Sequence, residues 1–240
     1  MTHGTEPATV SQMFALNSLL GGAIADAKLS RKFVQCILRD KKVSRQAVSV
    51  ALGALGMELM HDPYADEREE AMAFLSSRGA PTTGLDEAVT PERPGDNWWL
   101  MPLARDYGCN AIYDNLWDFP KWRWTEDLDG KLAKQDLSAK FVWVRHNEDL
   151  EPDQETRGKS ANQADPNQTS IELRVAMMYY VRVYAKTSRI PDKLGVTLCG
   201  GSRYLVGDVP NLYLNDDGRA GVCRYHPDDC CDASGARQQV

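Results

Sequence analysis

The sequence predicts an α+β protein: a small helical unit at the N-terminus, followed by a tryptophan-rich mixed domain that ends in a four-stranded antiparallel meander. Three observations predict this fold class. Apolar residues recur at helical spacing through the first 79 residues, all six tryptophans lie between residues 98 and 143, and Gly-Gly or Asp-Gly pairs separate short apolar segments after residue 195. With 240 residues, of which 42% are hydrophobic, the chain can bury a sizeable core.

Four helices are predicted within residues 1–79, since their apolar residues fall on single helical faces. The third begins at Ser44. The fourth covers residues 65–77, has acidic residues in its first turn, where the helix dipole favours negative charge, and is closed by Gly79. We therefore expect residues 1–79 to form a helical unit with a possible helix-turn-helix.

Residues 80–97 contain three prolines and two glycines and have no hydrophobic period, so they are predicted to be a linker. The mixed domain then covers residues 98–240. Within it, the polar stretch 147–168 is predicted to be an exposed loop.

The mixed domain is predicted to contain both strands and a long helix. Residues 121–125 and 140–145 are aromatic and β-branched, as strands are, and Asp129-Gly130 between them can form a turn. Residues 169–186 have an ambiguous period, but their length exceeds that of a typical strand and favours a helix. The meander is predicted to consist of residues 196–199, 203–206, 212–214 and 220–225.

The charge distribution limits the classes of function. The net charge is −6, and residues 80–170 hold most of the excess, with ten basic and seventeen acidic side chains. Such a balance argues against a protein that coats nucleic acid or an anionic membrane. Without a run of eighteen apolar residues, no membrane partner is expected.

Cysteine content and the N-terminal residues indicate the compartment. Six cysteines in 240 residues are too few for a disulfide scaffold. The apolar stretch 14–27 follows Glu6 and no Lys or Arg, whereas a secretory signal begins with positive charge. A cytoplasmic, soluble protein is therefore expected.

Basic residues are concentrated in residues 28–45, which carry seven basic side chains and one acidic one. Residues 41–52, Lys-Lys-Val-Ser-Arg-Gln-Ala-Val-Ser-Val-Ala-Leu, resemble the recognition helix of helix-turn-helix repressors of the lactose-repressor kind. That resemblance implies contacts with double-stranded DNA, on phosphates and on base edges. The candidate contact residues are Lys41, Lys42, Ser44, Arg45, Gln46 and Ser49. The alternative is an amphipathic helix whose basic end is merely solvated.

A group of thiol and imidazole side chains near the C-terminus is the weak candidate for a metal site. Its members are Cys199, Cys223, His226 and Cys230. Thiolates and imidazole suit zinc, but a Cys-x2-Cys pair is missing, so buried structural cysteines are the favoured interpretation. No metal or other cofactor is predicted.

Residues 199–203, Cys-Gly-Gly-Ser-Arg, could present backbone N–H groups and a guanidinium to an anion such as phosphate. No helix follows them to contribute its dipole, so a hairpin turn is the favoured interpretation.

Two hypotheses of function lead. The first is a DNA-associated regulatory or accessory protein that uses the basic, helix-turn-helix-like segment. The alternative is a non-catalytic protein-interaction or structural protein with a tryptophan-rich binding domain whose partner is another protein. An enzyme of unknown class is third, since short catalytic motifs such as GxSxG, HExxH and GxGxxG are missing.

Overall fold

The structure is a computed structural model, and it describes residues 63–164 and 170–240. The first three predicted helices lie outside the described residues. Residues Tyr64–Val240 form one compact unit, to which the following description applies.

The described unit contains helices and strands in mixed order. Its helices are Ala65–Ser77 (α1), Cys109–Asn115 (α2), Leu128–Lys131 (α3), Ala161–Ala164 (α4) and Leu173–Thr187 (α5). Its strands are Trp98–Leu103 (β1), Lys121–Arg123 (β2), Lys140–Arg145 (β3), Val196–Leu198 (β4), Val209–Leu214 (β5), Ala220–Tyr225 (β6) and Ser234–Ala236 (β7). Among the described helices, none has both the length and the apolar character needed to cross a membrane.

The strands form two sheets. In the smaller sheet β1 and β3 are antiparallel, and the chain end continues it, because Trp143 and Val240 each donate a backbone N–H to the other's carbonyl. The larger sheet has five strands in the order β2-β6-β5-β4-β7. The β2–β6 and β4–β7 pairs are parallel, and the pairs between them are antiparallel.

Helix α1 confirms the prediction for residues 65–77, including its end. Gly79 has φ +69°, and its N–H donates to the carbonyl of Ser76, while the N–H of Ala80 donates to the carbonyl of Leu75. These two bonds are those of a Schellman motif, which needs a left-handed residue where the helix stops. Glycine adopts that conformation without the steric cost of a Cβ.

Helix α5 confirms the prediction of a helix rather than a strand. All residues from 173 to 183 are buried, and the helix contacts both sheets through β1, β3 and β5. Because every face is buried, its sequence has no clean polar side, which explains the ambiguous period. It ends at Ser188, whose φ of +55° turns the chain out of the helix.

The four-stranded antiparallel meander is a wrong prediction in two respects. Residues 203–206 are not a strand but a turn, in which Tyr204 is buried while Leu205 and Val206 are exposed. The larger sheet is also mixed, because β2 and β7 join it by parallel pairing from distant parts of the chain. Local turn signals predict hairpins, but they carry no information on such long-range pairing.

The two strands predicted at 121–125 and 140–145 are present as β2 and β3, but they lie in different sheets. The expected turn between them is the short helix α3. The carboxylate of Asp127 caps that helix by accepting the Gly130 N–H at 2.8 Å.

The predicted linker, residues 80–97, carries no helix or strand. It nevertheless packs on the core of this unit, since Leu85 is fully buried and the Pro91 carbonyl accepts the indole N–H of Trp143 at 2.8 Å. The polar stretch 147–164 is also partly buried, contrary to the prediction of an exposed loop, because Asp153 and Thr156 bond to the C-terminal strand region.

Candidate binding sites

The predicted DNA-contact residues lie outside the described residues. They are Lys41, Lys42, Ser44, Arg45, Gln46 and Ser49. Their role stays a prediction from the sequence.

The weak metal candidates are not brought together. Cys199 is buried in the main core, whereas Cys223 follows the core residue Val222 and, by strand alternation, faces the other side of the sheet. Cys230 is exposed, and His226 Nδ1 accepts the backbone N–H of Asp228 at 3.4 Å. Within residues 63–164 and 170–240, no three His, Cys, Asp or Glu side chains are arranged to hold a metal ion.

A hollow with a volume of about 420 Å³ lies at the N-terminal end of α5. Two chain segments, 132–136 and 201–203, form most of its wall, together with Cys109, Glu172 and Arg174. We call it the α5 cleft. The glycine-serine-arginine segment singled out in the sequence is thus part of a cleft.

The loop 199–203 is a turn, and a helix start lies against it. The Ser202 N–H donates to the Cys199 carbonyl at 2.9 Å, while the Ser202 hydroxyl accepts the backbone N–H of Leu173 at 3.0 Å and so caps α5. Gly201 allows this approach, since a Cβ there would lie 2.6 Å from the backbone oxygen of Ser170. The helix that lies against the loop is α5, which precedes the loop in the sequence instead of following it.

Two carboxylates of the α5 cleft are held by one lysine. Lys140 Nζ lies 3.0 Å from Asp136 Oδ2 and 3.0 Å from Glu172 Oε1. The Ser138 hydroxyl, together with Lys140, holds the pKa of Asp136 well below its usual range. Asp136 is therefore charged at neutral pH, and both carboxylates already have a cationic partner in Lys140.

Three basic residues of the cleft wall have no carboxylate partner among the described residues. Arg174 is buried and donates to the carbonyls of Tyr107, Ala104, Asp136 and Ser138. Arg203 Nη1 donates to two carbonyls, those of Gly200 and Ser202. Lys134 is exposed and forms no ion pair with a described residue.

The thiol of Cys109 lines the same cleft but does not suit nucleophilic chemistry. Burial and the nearby Asp129 carboxylate raise the pKa of this thiol well above its ordinary value. Asp129 in turn accepts the backbone N–H groups of Cys109 at 2.7 Å and Asn110 at 2.9 Å. Since the thiolate is the reactive form, a thiol that stays protonated is a structural group.

A second hollow, of about 230 Å³, lies beside Trp98, Trp99 and Trp143, and we call it the tryptophan hollow. Its wall combines these indoles with charged residues. Lys186 Nζ lies 4.9 Å from the ring centre of Trp99, within the range of a cation–π interaction. Arg182 donates to the Leu100 carbonyl and, at 3.0 Å, to Glu70, but its buried Nε has no acceptor in the described part of the chain.

His146 lies behind the tryptophan hollow. Its ring stacks on Trp99 with centres 3.9 Å apart, and its Nδ1 lies 3.1 Å from the Tyr179 hydroxyl. Burial, followed by the positive charges of Arg237 and Lys186, lowers the pKa of His146 to about 4. The ring is therefore neutral at pH 7, and the phenol that it contacts is a poor nucleophile, since burial raises the pKa of Tyr179 to about 12.

Arg174 and Arg182, which contribute to the two hollows, were not identified from the sequence as site residues. The available signal was the presence of two arginines, eight residues apart, in an otherwise apolar helix. Buried arginines are uncommon and need several acceptors.

No protein-family model, curated protein or solved structure matches this chain.

Proposed function

We propose that this protein is a DNA-associated regulatory or accessory protein that contacts duplex DNA through residues 30–56, which overlap the basic stretch 28–45. The observation that supports the proposal is the local charge: seven basic side chains and one acidic one in eighteen residues of a chain whose net charge is −6. Lys41, Lys42 and Arg45 are assigned to phosphates, and Gln46 or Ser49 to base edges.

The charge of the compact unit favours DNA contacts through the N-terminal basic residues rather than through the unit itself. Residues 64–240 carry 21 basic and 29 acidic side chains, so their summed field repels a polyanion. Many of their basic groups are also used internally; for example, Arg157, Arg219 and Arg224 form ion pairs. A contact with DNA is therefore expected to depend on the N-terminal basic residues.

Equilibrium binding to a fluorescent DNA duplex at about 50 mM salt tests the proposal. The triple variant K41A/K42A/R45A is expected to bind about a hundredfold more weakly than the parent chain, since phosphate contacts dominate affinity at low salt. Gln46→Ala is expected to reduce the preference among duplex sequences while leaving non-specific affinity in place.

A matched control removes three basic side chains elsewhere. Lys159, Arg189 and Lys193 are exposed and form no ion pair with a described residue. The variant K159A/R189A/K193A changes the net charge by the same amount and is expected to retain most of the affinity. Equal losses in both triple variants would assign the effect to overall charge and reject the proposed contact.

A protein-interaction domain is the second candidate function, and the tryptophan hollow favours it. Arg182 lines this hollow, and its buried Nε–H has no acceptor among the described residues, which costs free energy. A carbonyl or carboxylate group of a partner protein could supply the acceptor, while half-buried Trp98 and Trp99 supply contact area.

Photo-crosslinking tests the second candidate. A photoreactive amino acid at position 98 is expected to crosslink one partner protein, and the same group at the exposed position 86 is expected not to do so. Trp99→Ala should reduce the crosslink from position 98. Equal crosslinking from both positions would reject the hollow as an interaction site.

A further inference from the structure

Three cationic side chains, Lys134, Arg174 and Arg203, line the α5 cleft together with two carboxylates, Asp136 and Glu172. Arg174 is 5% exposed, and four of its five N–H groups donate to backbone carbonyls. Buried charges in proteins are normally paired with an opposite charge, because a dipolar partner compensates only part of the cost of desolvation.

Two further cations of the cleft wall also form no ion pair with a described carboxylate. Arg203 is bonded only to main-chain carbonyls, and Lys134 forms no hydrogen bond or ion pair with a described residue. The anionic groups nearby have other partners: Lys140 holds Asp136 and Glu172. The positive charge that faces the cleft is therefore available to a ligand.

We propose that the α5 cleft is a binding site for a small organic phosphate, whose phosphate group is held by Arg203 and Lys134 in the field of Arg174. Arg203 offers a planar guanidinium and Lys134 a flexible ammonium, which are the two side-chain types that bind phosphate. The N-terminal end of α5 carries the positive end of the helix dipole, which also favours a bound anion.

The size and the remaining wall of the cleft favour an organic phosphate over the free ion. A volume of about 420 Å³ falls in the range of small-molecule sites and exceeds what one phosphate group fills. Asp136, Glu172 and Gln135 line the rest of it, and their oxygen and nitrogen atoms can bond hydroxyl groups of the organic part.

The acidic balance of the whole unit does not oppose this local site. At physiological ionic strength, charges separated by more than about 8 Å are largely screened in solvent, whereas charges lining a cleft act on its contents directly. A small anion in the cleft is thus governed by the three cations and two carboxylates of the cleft wall, while a long polyanion is governed by the surface as a whole.

Isothermal titration of the full chain with ribose 5-phosphate, inorganic phosphate and ribose tests the proposal. Ribose 5-phosphate is expected to bind, inorganic phosphate to bind at least tenfold more weakly, and ribose not to bind measurably. Lys134→Met and Arg203→Met are each expected to weaken the binding of ribose 5-phosphate by about tenfold, the effect of one charge-assisted hydrogen bond.

Lys193→Met and Arg189→Met are the matched controls, because both residues are exposed and neither lines the cleft. They should leave the affinity unchanged. Lys134 is exposed, so its replacement is not expected to unfold the protein even if that of Arg203 disturbs the turn. The proposal is overturned if ribose 5-phosphate does not bind, if inorganic phosphate binds as tightly, or if Lys134→Met has no more effect than Lys193→Met.

Discussion

Arg237 and Asp192 form an ion pair in which both side chains are completely buried, with Nη2 and Oδ1 2.6 Å apart. The remaining groups of the pair are also used: Tyr180 donates its hydroxyl to the second oxygen of Asp192, and Arg237 Nε donates to Thr197 Oγ1 at 3.1 Å. The pair therefore joins the last residues of the chain to the central helix α5 and to strand β4. A buried ion pair is tolerable when its other hydrogen-bonding groups are satisfied in this way.

Removing one member of this pair should destabilise the protein strongly. We expect Arg237→Met to lower the free energy of unfolding by about 3–5 kcal/mol, because it leaves the Asp192 carboxylate buried and unpaired. The double variant R237M/D192L should recover most of that loss. Urea unfolding measures both, and a double variant no more stable than Arg237→Met would show that the cost does not come from the unpaired charge.

Asn211 is a buried side chain whose amide nitrogen and oxygen have no hydrogen-bond partner among residues 63–164 and 170–240. It lies on β5 between Leu198 of β4 and Cys223 of β6. Replacing it by leucine removes the unpaired polar atoms at similar size, so Asn211→Leu is expected to raise the free energy of unfolding by about 1–2 kcal/mol. Asn211→Asp should have the opposite effect, because it buries a charge. A stability loss in Asn211→Leu, measured by urea unfolding, would contradict the assignment of an unpaired amide.

The lowered pKa of His146 predicts a dependence of stability on pH. Its pKa is about 4 in the folded protein against 6.5 as the ordinary value, so between pH 6.5 and pH 4 the unfolded chain binds more protons than the folded one. Stability should fall as the pH is lowered through this window and the His146 contribution should level off below pH 4. We expect a loss of about 1–2 kcal/mol, less than the full shift implies, because solvent screens the half-buried ring.

His146→Phe provides the control for this prediction, since it keeps an aromatic ring against Trp99 but cannot be protonated. The difference in unfolding free energy between the parent and His146→Phe should change between pH 7 and pH 4. An identical pH dependence in both proteins would reject the assigned pKa.

Arg182 and Lys186 both contact Glu70, but only Arg182 is buried. Arg182→Met leaves the Leu100 carbonyl without its donor and is expected to cost about 1–3 kcal/mol. Lys186→Met removes an exposed ion pair and is expected to cost less than about 1 kcal/mol. Thermal or urea unfolding compares the two, and equal costs would mean that the Leu100 carbonyl does not depend on Arg182.

The parts of the fold that depend on local signals could be predicted from the sequence. The end of α1 follows from Gly79, the helix α5 follows from its length, and the antiparallel pair β5–β6 follows from the Asp217-Gly218 turn between its strands. The parallel pairing of β2 with β6 and of β7 with β4 could not be predicted, since it joins segments far apart in the chain. The same reason explains why the burial of polar residues in 147–164 could not be predicted, since it depends on distant partners, as for Thr156 with Ala236, 80 residues away.

The candidate sites were predictable only in part, for a similar physical reason. From the sequence, residues 199–203 are interpreted as a hairpin turn rather than an anion-binding loop because no helix follows them, whereas the helix start that lies against them comes from Leu173, upstream in the sequence. In the sequence, Arg174 is one of the charged residues in the segment 169–186, whose hydrophobic period is ambiguous. Its burial depends on carbonyls contributed by residues 104–138. A single sequence contains the side chains of a site but not the tertiary contacts that place them together.

The salt dependence of DNA affinity tests the proposed function most directly. Equilibrium binding of the full chain to duplex DNA should be measured from about 50 to about 200 mM salt, and the logarithm of the binding constant plotted against the logarithm of the salt concentration. We predict a slope that becomes shallower by about three in K41A/K42A/R45A, one for each lost phosphate contact, and that stays unchanged in K159A/R189A/K193A. If the parent chain has no measurable affinity at 50 mM salt, or if the two triple variants have the same slope, residues 28–45 do not bind DNA.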